Sequence, residues 1–280
     1  MEGFTPVPPE FAEQYRAKGY WLDVSLGEYF CNMFRSYADR IALETMDEQV
    51  SYGTLMERTE LLARHLIDLG IKPLDRIVVQ LPNCLEFVYF YFAMGRIGAI
   101  PLLALPPHRR HEIGHFVSFV EAIGYAAATR TKDFDFIGMA HSIQVDNPDM
   151  KHVFVPGEEV PEGCISIRAL LDQEPKTPAS ALGSLNVDPD EPAVFLLSGG
   201  TTGLPKVIPR THNDYVYNSV ASADANHMDA DTVLLVALPI EHNFPLASPG
   251  IQGALLKGGR GVIVPSPRPT VVLEAIQEKK

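Results

Sequence analysis

Cysteine and positive charge are both scarce in this sequence. Three cysteines, Cys31, Cys84 and Cys164, occur in 280 residues, an odd number with no close spacing. That fits reduced thiols in a cytoplasmic protein better than a disulfide framework or a zinc site. Lys and Arg number 23 against 35 Asp and Glu, for a net charge of −12. Duplex nucleic acid and anionic membrane both demand a basic face, so neither is expected as a partner. Long apolar runs are missing too. The best candidate, Cys84 to Leu105, carries Glu86, Arg96, two glycines and a proline, which break the span that lipid requires. The opening Met1-Glu2-Gly3-Phe4-Thr5-Pro6 lacks the basic-then-apolar order of a signal peptide. No repeat of solenoid period stands out.

What is present is ordinary for a globular protein: 46% hydrophobic and 21% charged residues, on a chain long enough for roughly two domains. Residues 1–25, rich in proline and aromatics, are expected to form an irregular surface arm. Helices are expected over Leu26–Tyr37, from a Ser51 cap to Leu69, and over Leu85–Ile97 and Arg109–Ile123. Short apolar runs at 41–45, 49–50, 76–81, 99–104, 125–129 and 152–155 read as strands. The alternation argues for an α/β fold with mostly parallel sheets covered by helices on both faces. Residues 26–155 are expected to form one sheet subdomain, 156–190 a connector, and 191–280 a second subdomain. That second part is expected to supply strands at 193–197, 232–238 and 261–264, and helices at 213–227, 249–256 and 270–279. In a right-handed strand–helix–strand unit the helix returns the chain to its sheet. Nothing follows the last helix, which suggests a truncated product.

The stretch with the most chemical content is Ser198-Gly199-Gly200-Thr201-Thr202-Gly203-Leu204-Pro205-Lys206, directly after the apolar run Ala193–Leu197. Glycine lets a ligand approach the main chain closely, and successive N–H groups in such a turn can converge on an anion. Ser and Thr hydroxyls add neutral donors, and Lys206 adds a point charge of the kind phosphates attract. The same residues also describe a plain strand-to-strand turn. A Walker A loop is excluded, since that motif ends Gly-Lys-Ser/Thr and opens a helix. Here Pro205 precedes the lysine and Val207-Ile208-Pro209 continues as strand.

A second constellation spans Ala237 to Gly250 and contains Glu241-His242-Asn243-Phe244 and Ser248. It leaves a strand end and enters a helix, the place where open α/β sheets bind ligands. On residue types alone, His242 reads more readily as a satisfied, partly buried histidine and Asn243 as a turn former than as ligand-binding groups. A third pattern, His111-Glu112-Ile113-Gly114-His115, matches the zinc-protease spacing H-E-x-x-H. Gly114 sits inside the motif and no third ligand stands at a familiar spacing, so no metal site is expected.

The run from Ser198 to Lys206, continuing through Val207-Ile208-Pro209-Arg210-Thr211-His212, resembles the phosphate loop of the adenylate-forming superfamily. That superfamily includes acyl-CoA ligases, luciferases and adenylation domains. The form of the loop is similar to that of its aryl-acid branch, the 2,3-dihydroxybenzoate–AMP ligases of siderophore assembly. The resemblance covers nearly the whole chain and implies the family's N-terminal α/β domain, incomplete at the C-terminus, since members look about twice as long. It implies ATP and Mg²⁺ as cofactors, an aryl acid (2,3-dihydroxybenzoate or salicylate) as substrate, and an aryl carrier protein's phosphopantetheine thiol as acceptor. By the same resemblance Ser198, Gly199, Gly200, Thr201, Thr202, Gly203 and Lys206 would hold the ATP phosphates. His242 and Lys206 would act in catalysis, and His242, Asn243, Phe244 and Ser248 would place the acid. Relatives that activate amino acids carry Asp where Asn243 stands. A neutral amide suits an ortho-hydroxyl rather than an ammonium. Phe244 would stack on the ring. Glu241 departs from the small residue expected beside the histidine, which leaves fine specificity open. Alternatives are another acyl- or aryl-CoA ligase, or a binding fragment without turnover.

Overall fold

The computed structural model describes residues 1–131, 134–199 and 203–279. Helices α1 (Pro9–Ala17) and α2 (Leu26–Ser36) precede a hairpin of β1 (Ile41–Glu44) and β2 (Gln49–Ser51). There follow α3 (Tyr52–Asp68), β3 (Arg76–Gln80), α4 (Leu85–Ile97), β4 (Ile100–Leu103), α5 (Arg110–Phe119) and β5 (Gly124–Ala127). A small hairpin, β6 (Arg130–Thr131) with β7 (Phe134–Asp135), leads to α6 (Phe136–Asp146), β8 (His152–Val155), β9 (Ile165–Ser166), α7 (Ile167–Leu171) and α8 (Ser180–Gly183). The chain continues through β10 (Pro192–Leu197), β11 (Val207–Thr211), α9 (His212–Ala225), β12 (Val233–Val236), α10 (Asn243–Ala247), α11 (Gly250–Leu256), β13 (Arg260–Ile263) and α12 (Pro269–Glu278).

Two sheets dominate. The larger has the order β11-β10-β4-β3-β5-β8-β9 and is parallel except for β11, which runs against β10. The smaller has the order β12-β13-β1-β2, parallel except for β2. The α/β class with two mostly parallel sheets is therefore the observed fold. Sheet membership, however, crosses residues 156–190 in both directions. β10 and β11 complete the sheet begun by β3, and β1 and β2 complete the one that holds β12 and β13. The expectation that 26–155 and 191–280 each build a separate sheet is corrected by these pairings. Strand partners are chosen by which apolar faces meet, and chain order does not set that.

Three further expectations change. The segment 1–25 is anchored rather than loose. It contains α1, buries Trp21, and pairs Arg16 with Asp190 at 2.6 Å and with Asp23 at 2.8 Å. The connector 156–190 adds β9 to the edge of the larger sheet, and its Arg168 reaches the buried Glu86 at 2.7 Å. The helix expected over 109–123 ends at Phe119, because Glu121 takes a left-handed φ of 51° and turns the chain into β5.

The core is centred on α4, which is buried along almost its full length. Phe92 meets Phe30 at 4.9 Å and Phe34 at 5.1 Å between ring centroids. The helices α2 and α4 touch backbone to backbone at Gly27, where an added Cβ would lie 2.4 Å from the Arg96 Cα. Ser51 caps α3 as expected, accepting from the Thr54 N–H at 3.1 Å. No helix among the described residues is long and apolar enough to cross a membrane.

Candidate functional site

The loop after β10 is the turn of an antiparallel hairpin, with Leu197 opposite Val207. Its neck is tied at Ser198. The Ser198 N–H donates to the Lys206 carbonyl at 2.9 Å, and the Lys206 N–H donates to Ser198 Oγ at 2.9 Å. The serine hydroxyl therefore accepts from the loop and retains its own proton to donate. Gly203 has a φ of 108°, a conformation that only glycine adopts at little cost. Among the described residues, nothing lies within 4 Å of where a Gly199 Cβ would project, so they leave the main chain there open to approach. Gly200, Thr201 and Thr202 fall outside the described residues. Lys206 passes straight into β11, so no helix N-terminus stands behind the loop.

After β12 the chain turns into α10, and His242 is its N-cap. His242 Nδ1 accepts from the Phe244 N–H at 3.2 Å. In the neutral ring that places the proton on Nε2, where it can be donated outward. Asn243 is oriented at both ends. Its Oδ1 accepts from the Tyr215 hydroxyl at 2.8 Å, and its Nδ2 donates to Ser248 Oγ at 3.0 Å. Ser248 is held in turn by Asn218 Nδ2 at 3.1 Å. One amide hydrogen and one carbonyl lone pair of Asn243 are left for a ligand. Burial pushes the Tyr215 phenol well above its ordinary range, so it stays a neutral donor.

A cavity of about 290 Å³ joins the two segments. Ser198, Gly199 and Pro205 of the loop border it on one side, and Glu241, His242 and Asn243 on the other. Leu103, Leu105, Leu196 and Ile208 give it an apolar lining. Ser198, Gly199, His242 and Asn243 are thus brought together, and Ser248 is tied in through Asn243. Three expected residues stand apart from that lining: Gly203, Phe244 and Lys206. Phe244 is 58% exposed and does not border the cavity, because one helical step from Asn243 points its ring elsewhere. Lys206 is exposed at the foot of β11 and is not part of the lining.

Three lining residues had been given no site role from the sequence: His108, Arg210 and Glu241. His108 Nδ1 accepts from the Leu105 N–H at 3.1 Å, and burial holds its ring below the usual histidine range, hence neutral near pH 7. Arg210 loses solvent by burial, yet its ion pair with Asp214 keeps it charged. Glu241 is 2% exposed, and neither carboxyl oxygen has a hydrogen-bond partner among the described residues. Burial pushes its carboxyl up to about 8. The glutamate's departure from a small residue was a sequence signal for this site. The environment of the other two is a matter of tertiary contact.

The histidines of His111-Glu112-Ile113-Gly114-His115 lie on α5, but the Glu112 carboxylate caps that helix by accepting from the Arg109 N–H at 2.9 Å. His115 stacks on Phe119 at 5.6 Å. Among the described residues, no group of three or more His, Cys, Asp or Glu could hold a metal ion.

A glycine-rich loop and a polar-tipped apolar cavity lie together at strand ends. The family follows from comparison with known proteins: the chain belongs to the AMP-binding enzyme family, whose model matches residues 32–280. It is 42% identical over 274 residues to a salicylyl-CoA synthase / salicylate adenylyltransferase of Streptomyces, covering 97% of this chain and 50% of that one. It is 40% identical over 280 residues to the 2,3-dihydroxybenzoate-AMP ligase of Bacillus subtilis, covering 100% of this chain and 50% of the relative. Among solved structures, apo MbtA of Mycobacterium smegmatis superposes with a TM-score of 0.91 at 40% identity, over 99% of this chain and 50% of that one. The chain spans about half the length of the curated relatives it matches.

Proposed function

We propose that this chain carries the acid and phosphate sites of an enzyme that activates a hydroxylated aryl acid, 2,3-dihydroxybenzoate or salicylate, with ATP. A carboxylate oxygen of the acid attacks the α-phosphorus. The bond from that phosphorus to the oxygen bridging to the β-phosphorus breaks, and pyrophosphate leaves with its electrons. The acyl-adenylate then gives its acyl group to the phosphopantetheine thiol of an aryl carrier protein, releasing AMP. The nucleophile belongs to the substrate, so the protein's share is positioning and charge stabilisation.

The observation that carries this reading is the single cavity bordered by Ser198 and Gly199 on one side and by His242 and Asn243 on the other. Ser198 Oγ–H and the open main chain at Gly199 would meet phosphate oxygens. The His242 Nε2 proton would meet the substrate carboxylate or the α-phosphate, and the free valences of Asn243 would meet an ortho-hydroxyl. Mg²⁺ takes oxygen ligands and commonly reaches such sites on the phosphates themselves, where it neutralises their charge. The described residues offer no acidic cluster for it, and no step here runs through the metal.

The acceptor distinguishes a second reading. One relative at 42% identity is named a salicylyl-CoA synthase, and coenzyme A presents the same thiol arm. The test is ATP–pyrophosphate exchange driven by salicylate, 2,3-dihydroxybenzoate or benzoate, followed by acyl transfer to carrier protein or coenzyme A. It is run on a chain of the relatives' full length and on the 280-residue chain. Exchange by the longer chain with the hydroxylated acids, and none by the shorter, is expected. Exchange that ignores the ortho-hydroxyl sinks the acid-site assignment.

A further inference from the structure

Glu241 is the least satisfied polar group bordering the cavity. Its side chain is 2% exposed, and both carboxyl oxygens lack a partner among the described residues. Those oxygens are also sealed from solvent, so the carboxyl does not project into the cavity as a hydrogen-bonding group would. Glu241 is itself one of the residues that line the cavity, and it lies within electrostatic reach of Cys84, the residue that precedes α4. A buried polar head without a partner costs stability and contributes no hydrogen bond. What this side chain supplies at the site is volume.

We propose that Glu241 is a specificity-determining residue: its side chain forms the end wall of the cavity, and its bulk limits the size of acid the site admits. The inference rests on reading this cavity as the acid site. Trimming Glu241 to Ala removes four heavy atoms from a fully buried position that adjoins a cavity of about 290 Å³. Because Glu241 is itself a lining residue, the vacated space would add to the cavity. The cavity's lining also includes Leu103, Leu105 and Leu196, apolar side chains that would accept further ring carbon. Discrimination by size in an apolar pocket is worth roughly 10-fold or more per added group.

Binding of 2-hydroxybenzoate and of the bulkier 2-hydroxy-1-naphthoate to the 280-residue chain, followed by titration calorimetry, tests this. The unaltered chain is expected to favour 2-hydroxybenzoate by about 10-fold or more. Glu241→Ala and Glu241→Ser should narrow that ratio to within about 2-fold. Glu241→Gln keeps the volume and should leave the ratio as in the unaltered chain. Thermal unfolding of each variant confirms that it is folded, and two small variants guard against one that is not. Folded Ala and Ser variants with the unaltered ratio overturn the inference. So does a Gln variant that shifts the ratio as far as Ala, since the carboxyl's chemistry and not its bulk would then be in control. If neither acid binds the unaltered chain, the acid-site reading itself fails and this inference falls with it. That result is distinct from one in which both acids bind and the ratio does not move.

Discussion

On the proposed function, substrate choice turns on Asn243, and its surroundings make that role testable. The Tyr215 hydroxyl fixes its carbonyl and Ser248 fixes its amide, so the free valences point one way only. Replacing it with Asp puts a negative charge beside an anionic substrate and removes both amide hydrogens. Asn243→Asp should weaken hydroxybenzoate binding by roughly 10-fold or more, measured by calorimetry, since losing a buried hydrogen bond alone costs about 1–3 kcal/mol. Tyr215→Phe leaves Asn243 in place but free to turn; a loss of about 2- to 10-fold in affinity is expected, corresponding to one neutral hydrogen bond. Unchanged affinity in both would remove Asn243 from the site. Glu241 yields a prediction of another kind. Its carboxyl is pushed from 4.5 up to about 8 in the folded protein. From pH 4.5 to about 8 the unfolded chain releases this proton while the folded chain keeps it. The group's contribution to stability is therefore full below pH 4.5, falls as pH rises, and stops falling above about pH 8. The loss runs at about 1.4 kcal/mol per pH unit. Glu241→Gln does not titrate, so in denaturant melts its stability relative to the unaltered chain should improve steadily across that window. A constant difference between pH 5 and 8 would contradict the burial argument.

At the scale of elements, the local signals worked where a single face or cap decides the outcome. Ser51, the α4 run and the β10 run each specify their element through a cap or an unbroken apolar stretch. They failed where tertiary partners decide. Nothing in Pro9–Ala17 announces a helix strongly, and α1 persists because Arg16 is tied to Asp23 and Asp190. The strand β9 has two residues and exists only because β8 offers an edge. The α2–α4 contact gives a direct test. A Cβ on Gly27 would fall 2.4 Å from the Arg96 Cα and 2.5 Å from the Gly95 carbonyl carbon, both backbone atoms that cannot swing away. Gly27→Ala should therefore cost at least ~2 kcal/mol in urea unfolding despite the better helix propensity of alanine. A neutral or stabilising result would mean that the two helices separate freely.

For the whole molecule, the question is what holds the two sheets in one frame, since the cavity borders segments from both. Asn83, between β3 and α4, bridges them. Its Nδ2 donates to the Leu238 carbonyl at 3.0 Å and to the Val264 carbonyl at 3.2 Å, and its Oδ1 accepts from the Ile240 N–H at 2.9 Å. Leu238 and Ile240 lie on the segment that delivers His242 and Asn243. Asn83→Ala should cost roughly 2–3 kcal/mol and speed hydrogen exchange at Ile240, with a parallel loss of acid affinity. Full affinity in a destabilised variant would show that the bridge serves stability alone. The sequence by itself determined the α/β class, the hairpin loop from Ser198 to Lys206 and the choice of a neutral amide at position 243, because each depends on local periodicity, turn chemistry or residue type. Only the tertiary structure decided which strands share a sheet, that Tyr215 and Ser248 orient Asn243, and that Glu241 is sealed with no hydrogen-bond partner among the described residues. Those outcomes depend on contacts between residues far apart in the chain, and no local pattern encodes them.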